Sequence, residues 1–230
     1  MRHSLIRKSD ALNPTPIYTV NEASVEGVVD QLGSAAGHWV ARHGYKGEPG
    51  RTLLVPAAEG TTLAVLYGTD EGGLSSSFAL GSLVTALPSG DYVFETPSPD
   101  IELGLLGFAL SSYRFNRYRK MGGDLPRLVV PDDIDLERLY TVLDGVKLAR
   151  DLINTPANDL GPQELAAAIT KLFEEHGGKG EVIVGEALLE RGFPMVHAVG
   201  RASANAPRLA DFTWGNEKAP KVTLVGKGVI

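Results

Sequence analysis

The sequence closes with K-V-T-L-V-G-K-G-V-I, residues 221–230, and this stretch carries the strongest structural signal in the chain. Residues 222–225 form an apolar run rich in β-branched side chains, bounded by a proline before it and a glycine after it, which is typical of a buried central strand. Gly226-Lys227-Gly228 then turns the backbone at the carboxyl end of that strand. Because ligands of open α/β sheets collect beyond such ends, Lys227 is a candidate site residue.

The residues after that turn, Val229-Ile230, provide no helix to cover the predicted strand. A terminus is usually found at the protein surface rather than beside a buried strand. We therefore expect the 230 residues to be the front part of a longer protein, or one product of a cleavage, with the rest of the site on other residues.

Composition excludes several classes of function. The chain is 43% hydrophobic and 22% charged, which is ordinary for a globular protein, and its net charge of -6 argues against nucleic acid or an anionic membrane as the main partner. It has no cysteine, so any metal site must use nitrogen and oxygen ligands. No segment has the apolar length of a signal peptide or a membrane span, which predicts a cytoplasmic location.

The first 130 residues mix short strands with turns. Strands are predicted at residues 52–56, 62–67 and 91–95, and the first two are expected to form a hairpin. A fourth short strand is predicted at residues 127–130.

A buried helix is predicted to begin at Ser98-Pro99-Asp100, where the serine suits the cap and the proline suits the first helical position. Its far end, residues 113–120, alternates cations with aromatics, and residues 121–124 are expected to end it. Such a segment can bind nucleic acid, but cations also favour a helix C-terminus and their stems cover apolar surface. The second interpretation is favoured.

A domain boundary is predicted near Pro131. The acidic cluster Asp132, Asp133 and Asp135 lacks the glycine and distal glutamate of a calcium loop, so helix capping is its expected role. The predicted organisation is an N-terminal α/β domain over residues 1–130, a connecting amphipathic helix over residues 131–153, and the incomplete first part of a second α/β domain over residues 154–230.

The second domain alternates helices and strands. Residues 154–162 form a loop rich in proline and asparagine, and a helix follows from Gly161-Pro162 to a stop at Gly177-Gly178. Strands are predicted at residues 181–184 and 209–214, while residues 187–199 fit either state. This alternation, continued to residue 222, predicts a parallel sheet.

Three segments of this half resemble one family in order. They are N-T-P-A-N-D-L-G-P at residues 154–162, A-V-G-R-A-S-A-N-A-P at residues 198–207, and L-V-G-K-G-V at residues 224–229. Together they resemble the leucyl, or cytosol, aminopeptidases. The resemblance covers about residues 136–230 and is much weaker in the front domain.

This resemblance implies a macro-like N-terminal α/β domain followed by the truncated start of an α/β/α metallopeptidase domain. It also implies two divalent metal ions, zinc or manganese, peptide substrates and a homo-oligomer, namely a hexamer. In that family the lysine of the V-G-K-G motif is a metal ligand, which transfers to Lys227, whereas the other ligands would lie after residue 230. The segment alone is therefore expected to bind neither metal tightly and to be inactive.

Two other functions stay open from the residues themselves. The fragment could be a stand-alone macro-like binding or oligomerisation module, or Gly226-Lys227-Gly228 could begin a dinucleotide fingerprint whose third glycine is not seen. The histidines show no metal-binding spacing and receive no catalytic role; they are His3, His38, His43, His176 and His197.

Overall fold

The computed structural model describes residues 1–70, 73–74, 78–95, 101–119 and 122–229. The chain forms two compact units, Met1–Leu148 and Ala149–Ile230. Both contain helices and strands, and the first is built on a largely parallel sheet, so the predicted α/β class is confirmed. Within the described ranges, no helix is both long and apolar enough to cross a membrane.

The first unit is organised around a six-stranded sheet in the order β1-β6-β5-β2-β4-β3. Four neighbouring pairs are parallel, and only the edge strand β3 runs antiparallel, to β4. The predicted hairpin of residues 52–56 and 62–67 is thereby confirmed. The strands are β1 (Leu5–Ile6), β2 (Thr15–Val20), β3 (Thr52–Pro56), β4 (Thr62–Gly68), β5 (Asp91–Phe94) and β6 (Arg127–Val129).

Apolar side chains cover both faces of this sheet. Successive residues of a strand point to opposite faces, and along β4 the side chains of Val65 and Tyr67 join one buried cluster while those of Ala64 and Leu66 join another. Helices complete the two layers, as parallel sheets require. They are α1 (Val25–Leu32), α2 (Ser34–Arg42), α3 (Leu83–Ala86), α4 (Ile101–Ser111) and α5 (Leu136–Asn154), with 3-10 turns at Arg2–Ser4, Lys8–Asp10 and Ala79–Ser82.

Helix α4 is buried as predicted but is shorter than expected. It ends at Ser111, and residues 113–119 of the cation and aromatic segment that follows are irregular rather than the last turns of a helix. Arg114 explains part of this course, because its Nη1 donates to the carbonyls of Gly122 and Gly123 at 2.9 and 2.8 Å and so folds the segment back on itself. The predicted helix start at residues 98–100 lies outside the described residues.

Helix α5 begins where the acidic cluster predicted a cap. The Asp135 carboxylate accepts a hydrogen bond from the Arg138 backbone N–H at 3.0 Å, the contact of an N-cap with the third residue of a helix. This confirms capping for Asp135. The helix runs from residue 136 to 154 and crosses the limit between the two units.

The second unit contains a two-stranded sheet with helices packed against it. Its elements are α6 (Pro162–Glu175), β7 (Lys179–Val184), α7 (Ala187–Glu190), α8 (Pro194–Gly200) and β8 (Arg208–Thr213). Phe173 of α6 stacks on Phe212 of β8 with ring centroids 4.8 Å apart, which fixes that helix on the sheet. The strands pair antiparallel from Lys179 opposite Thr213 to Val184 opposite Arg208, so the parallel pairing predicted for this half is wrong.

The central strand predicted at residues 221–226 is also absent. Residues 221–229 have no regular structure, and Val222, Leu224 and Val225 are 84, 92 and 91% exposed. A strand requires a neighbour for its backbone N–H and C=O groups, and no described strand pairs with this segment. The apolar pattern is present, but the pairing that would make it a buried strand is not.

Candidate functional site

Lys227 lies in the irregular, exposed segment at the end of the second unit. No group of three or more histidine, aspartate or glutamate side chains that could hold a metal ion occurs anywhere in the described ranges. Within the described residues, Lys227 is therefore not beside a carboxylate cluster of the kind that holds a metal ion. Its role as a metal ligand remains a prediction.

The loop at residues 154–162 is held by backbone and hydroxyl contacts. Thr155, which is 9% exposed, donates from its Oγ1 to the Asp151 carbonyl at 2.6 Å and from its N–H to the same oxygen at 3.0 Å. The N–H of Asp159 donates to the Pro156 carbonyl at 2.9 Å, closing a turn. These hydrogen bonds stabilise the loop that connects the end of α5 to the start of α6.

Gly161 and Pro162 then open α6 in the manner predicted. Gly161 is buried and occupies the N-cap, Pro162 follows at the first helical position, and the Glu164 carboxylate accepts the Gly161 N–H at 3.0 Å. A glycine cap has no side-chain oxygen, so Glu164 supplies the polar contact of this helix start.

The segment at residues 198–207 leaves α8 through a second tight loop. The Ser203 N–H donates to the Gly200 carbonyl at 3.1 Å, and the Ser203 hydroxyl accepts the Asn205 N–H at 3.1 Å. A Cβ at Gly200 would lie 2.4 Å from the Pro207 Cβ, which explains why this position holds glycine. The loop then enters β8.

The three motifs meet at the first turn of α6. A side chain at Gly161 would come within 3.7 Å of the Asn205 Nδ2, so the first loop lies against the second. Arg208, next to the second loop, donates from Nη2 to the Gln163 Oε1 at 3.2 Å. In the third segment, a Cβ at Gly228 would be 4.0 Å from Leu165 Cδ2. Segments up to about 70 residues apart in the sequence thus share one helix end.

Two histidines make contacts of a structural kind. His197 Nε2 lies 3.1 Å from the Glu186 Oε1, and His43 Nδ1 lies 2.8 Å from the Trp39 carbonyl. Neither pair includes a third metal-ligating group, since the described residues hold no such cluster.

Sequence reasoning missed a depression of about 280 Å³ in the first unit. It lies beyond the carboxyl ends of β2 and β4, where ligands of α/β sheets bind. Its charged side chains are Glu22, Lys46, Glu48 and Asp70. Because carboxylates outnumber the cation among the lining side chains, the depression would repel a pyrophosphate, which disfavours a nucleotide as the ligand of a stand-alone macro-like binding module. The signal that could have found it is Gly47-Glu48-Pro49, a turn motif shortly before the strand predicted at residues 52–56.

Comparison with known families agrees with the motifs. Residues 15–131 match the M17 aminopeptidase N-terminal domain, and residues 147–230 match the catalytic domain of the cytosol aminopeptidase family. The chain belongs to the cytosol aminopeptidase family.

Individual cytosol aminopeptidases are similar along most of the chain. The probable cytosol aminopeptidase of Corynebacterium efficiens is 32% identical over 207 residues, covering 81% of this chain and 40% of the relative. The crystal structure of the Coxiella burnetii cytosol aminopeptidase superposes with a TM-score of 0.83 at 33% identity, covering 94% of this chain and 47% of that one. BotP, a bottromycin maturation enzyme solved in complex with Mn, shares the fold at 24% identity and a TM-score of 0.68, covering 90% of this chain and 46% of its own.

The chain therefore spans somewhat less than half the length of each of these relatives. Its match to the family's catalytic domain includes all three motifs and Lys227. None of the three motifs lies in residues 15–131. This part of the chain nevertheless matches the family's N-terminal domain directly.

Proposed function

We propose that the complete protein is a metal-dependent aminopeptidase that releases N-terminal amino acids from peptides. Residues 1–230 supply its N-terminal domain and the first part of its catalytic domain. The observation that carries this proposal is the meeting of the three family motifs at the first turn of α6. Cytoplasmic location follows from the same proposal.

In this proposal Lys227 is a ligand of one of two divalent metal ions, zinc or manganese. When bound, the two ions would activate a water and polarise the scissile carbonyl. The described residues alone do not fit such a pair, because Lys227 stands without a carboxylate cluster. The remaining ligands are proposed to come from residues outside 1–230. The structure of BotP in complex with Mn supports manganese as the metal.

The chemistry of Lys227 explains why it needs those carboxylates. An ammonium group has no lone pair, so the lysine must lose a proton before it can coordinate. From the ordinary pKa of about 10.4, this costs about 4–5 kcal/mol at pH 7. Only nearby positive charge offsets that cost, and carboxylates are required to hold cations in place.

The test compares three proteins with a leucyl anilide substrate, each supplied with zinc or manganese. They are residues 1–230, the full-length protein, and the full-length protein carrying Lys227→Ala. We expect turnover only from the unmodified full-length protein, and loss of metal affinity by about 100-fold or more in the variant, since even residues behind the ligands contribute 10–100-fold.

Lys221→Ala in the full-length protein is the matched control, because it removes an equally exposed lysine of the same segment. It should retain metal and activity. Turnover by residues 1–230 that Lys227→Ala abolishes would show that the site is complete within these residues and would overturn the proposal.

A further inference from the structure

Arg208 carries a donor that its surroundings do not satisfy. The side chain leaves the first residue of β8 and reaches the first turn of α6, where Nη2 donates to the Gln163 Oε1 at 3.2 Å. Its Nε is shielded from solvent and has no hydrogen-bond partner in the part of the chain that the structure describes. A buried unpaired donor of a charged group is costly, so its occurrence needs an explanation.

Two other arginines of the chain show what the edge formed by the Nε and Nη2 atoms of a guanidinium group binds. Arg127 uses Nε and Nη2 together, donating to the two oxygens of Asp91 at 2.6 and 2.8 Å. Arg2 presents the same two atoms to Asp144. In both, the Nε and Nη2 edge holds a carboxylate bidentately, which is the geometry that guanidinium groups favour. In Arg208 only Nη2 of this edge is paired with a described residue, and its partner is the neutral amide oxygen of Gln163.

We propose that the Nε and Nη2 edge of Arg208 is a binding site for a carboxylate group, with Gln163 as its displaceable cover. Gln163 is exposed, and its amide oxygen makes a single bond to Nη2, so the side chain can turn into solvent. A carboxylate in its place forms two charge-assisted bonds instead of one neutral bond, and it satisfies Nε.

The surroundings favour a single negative charge at this place. Gly161 caps α6 without a side-chain oxygen, so the first-turn N–H groups of this 14-residue helix contribute positive potential. The Glu164 carboxylate lies at the same helix end, where it accepts the Gly161 N–H at 3.0 Å and compensates part of this positive potential, so Arg208 is the main source of attraction for a second carboxylate. The site stands on this geometry and does not depend on the proposed peptidase activity.

Thermal unfolding of the full-length protein tests the site, with sodium acetate as the probe and sodium chloride at equal ionic strength as the reference. We expect acetate to raise Tm saturably, on the order of 2 °C when it is well above its Kd. Arg208→Gln should abolish the acetate response. Gln163→Glu should also abolish it, because the new carboxylate fills the edge from within, and it should raise Tm without acetate.

The matched control is Arg191→Gln, which removes an exposed arginine paired with Glu181 and should leave the acetate response intact. Leucine and leucinamide separate the sources of the carboxylate. A response to acetate and leucine but not leucinamide, lost in Arg208→Gln, supports a site open to amino acids, and a response to acetate alone supports a site for small carboxylates. An acetate response absent from the unmodified protein, or unchanged in both Arg208→Gln and Gln163→Glu, would overturn the proposal.

Discussion

Asp91 is the most deeply buried charged residue of the first unit's sheet, and three donors compensate it. Its side chain is 3% exposed, whereas that of its partner Arg127 is 37% exposed. Both oxygens accept from Arg127, and Oδ2 also accepts the Leu12 N–H at 2.7 Å. One carboxylate thus ties β5 to β6 and to the chain that leads into β2. Removing its charge should loosen all three.

Asp91 should make the first unit sensitive to acid. Burial raises the pKa of its carboxyl, but the bonds from Arg127 and Leu12 outweigh burial, and the net pKa is lowered. A carboxyl with a lowered folded pKa stabilises the fold above its unfolded value of about 3.9, and this contribution is lost as pH falls through the folded pKa. Urea unfolding from pH 6 downward should show the loss, and Asp91→Asn should remove that part of the pH dependence.

At pH 7, Asp91→Asn should lower the free energy of unfolding by about 1.5–3 kcal/mol, because Arg127 loses a charged acceptor. Asp144→Asn is the control: its pair with Arg2 is about half exposed on both sides and should contribute about 1 kcal/mol or less. Equal losses of unfolding free energy in the two variants would contradict the claim that burial makes the Asp91 ion pair the more stabilising of the two.

Local signals predicted individual residues well where the partner is close in sequence. The Asp135 cap and the Gly161-Pro162 helix start both depend on groups within three residues, and both are present. The metal-ligand role proposed for Lys227 requires partners outside its own motif, and the motif does not indicate which residues those are. Arg208 has no sequence motif at all, because its meeting with Gln163 arises from the packing of β8 on α6.

At the scale of elements, replacing glycine by alanine should have opposite effects on stability at two positions. Gly68 ends β4 where the chain of Glu48 crosses it, and a Cβ there would lie 1.8 Å from the Glu48 carbonyl oxygen. Backbone cannot move aside as a side chain can, so Gly68→Ala should destabilise the first unit by at least about 3 kcal/mol. Chemical denaturation followed by circular dichroism measures this.

Gly145 is the counterpart, since it is exposed in the middle of α5 and a Cβ there meets nothing within 4 Å. Gly145→Ala should stabilise the protein by about 0.5–1 kcal/mol, because glycine loses more backbone freedom in a helix than alanine does. A loss of stability would show that α5 contacts something at this position that the described residues do not include.

Strand pairing was predicted correctly where the partner strand is close in sequence, whereas strands with distant partners, such as β5 and β6, were located without their neighbours being predicted. Residues 52–56 and 62–67 form the expected hairpin because a short turn joins them. The apolar pattern of residues 222–225 is equally strong, yet it forms no strand, since a pattern specifies which face is buried and not which strand lies beside it. Likewise, the alternation of helix and strand did not determine the antiparallel direction of β7 and β8.

At the scale of the whole molecule, we predict that the full-length protein self-associates, as a hexamer in the proposed assembly. Apolar side chains are exposed across the second unit, including Ile153 at 80%, Met195 at 74% and Val199 at 63%. These side chains are candidates for burial in contacts with the rest of the full-length protein or with other subunits. Size-exclusion chromatography with light scattering measures the mass directly. A strictly monomeric protein at micromolar concentration would contradict this prediction.

The exposed segment at residues 221–229 also affects how readily residues 1–230 can be expressed in soluble form. Four exposed side chains of high β-propensity or hydrophobicity lie between Lys221 and Lys227. The charges of these two lysines oppose the stacking of identical segments from different chains. We predict that this segment promotes aggregation of residues 1–230, because apolar β-forming side chains without a partner strand are prone to intermolecular pairing. Leu224→Lys should therefore increase the soluble yield of residues 1–230, whereas Lys227→Leu should turn the same fragment into an aggregate.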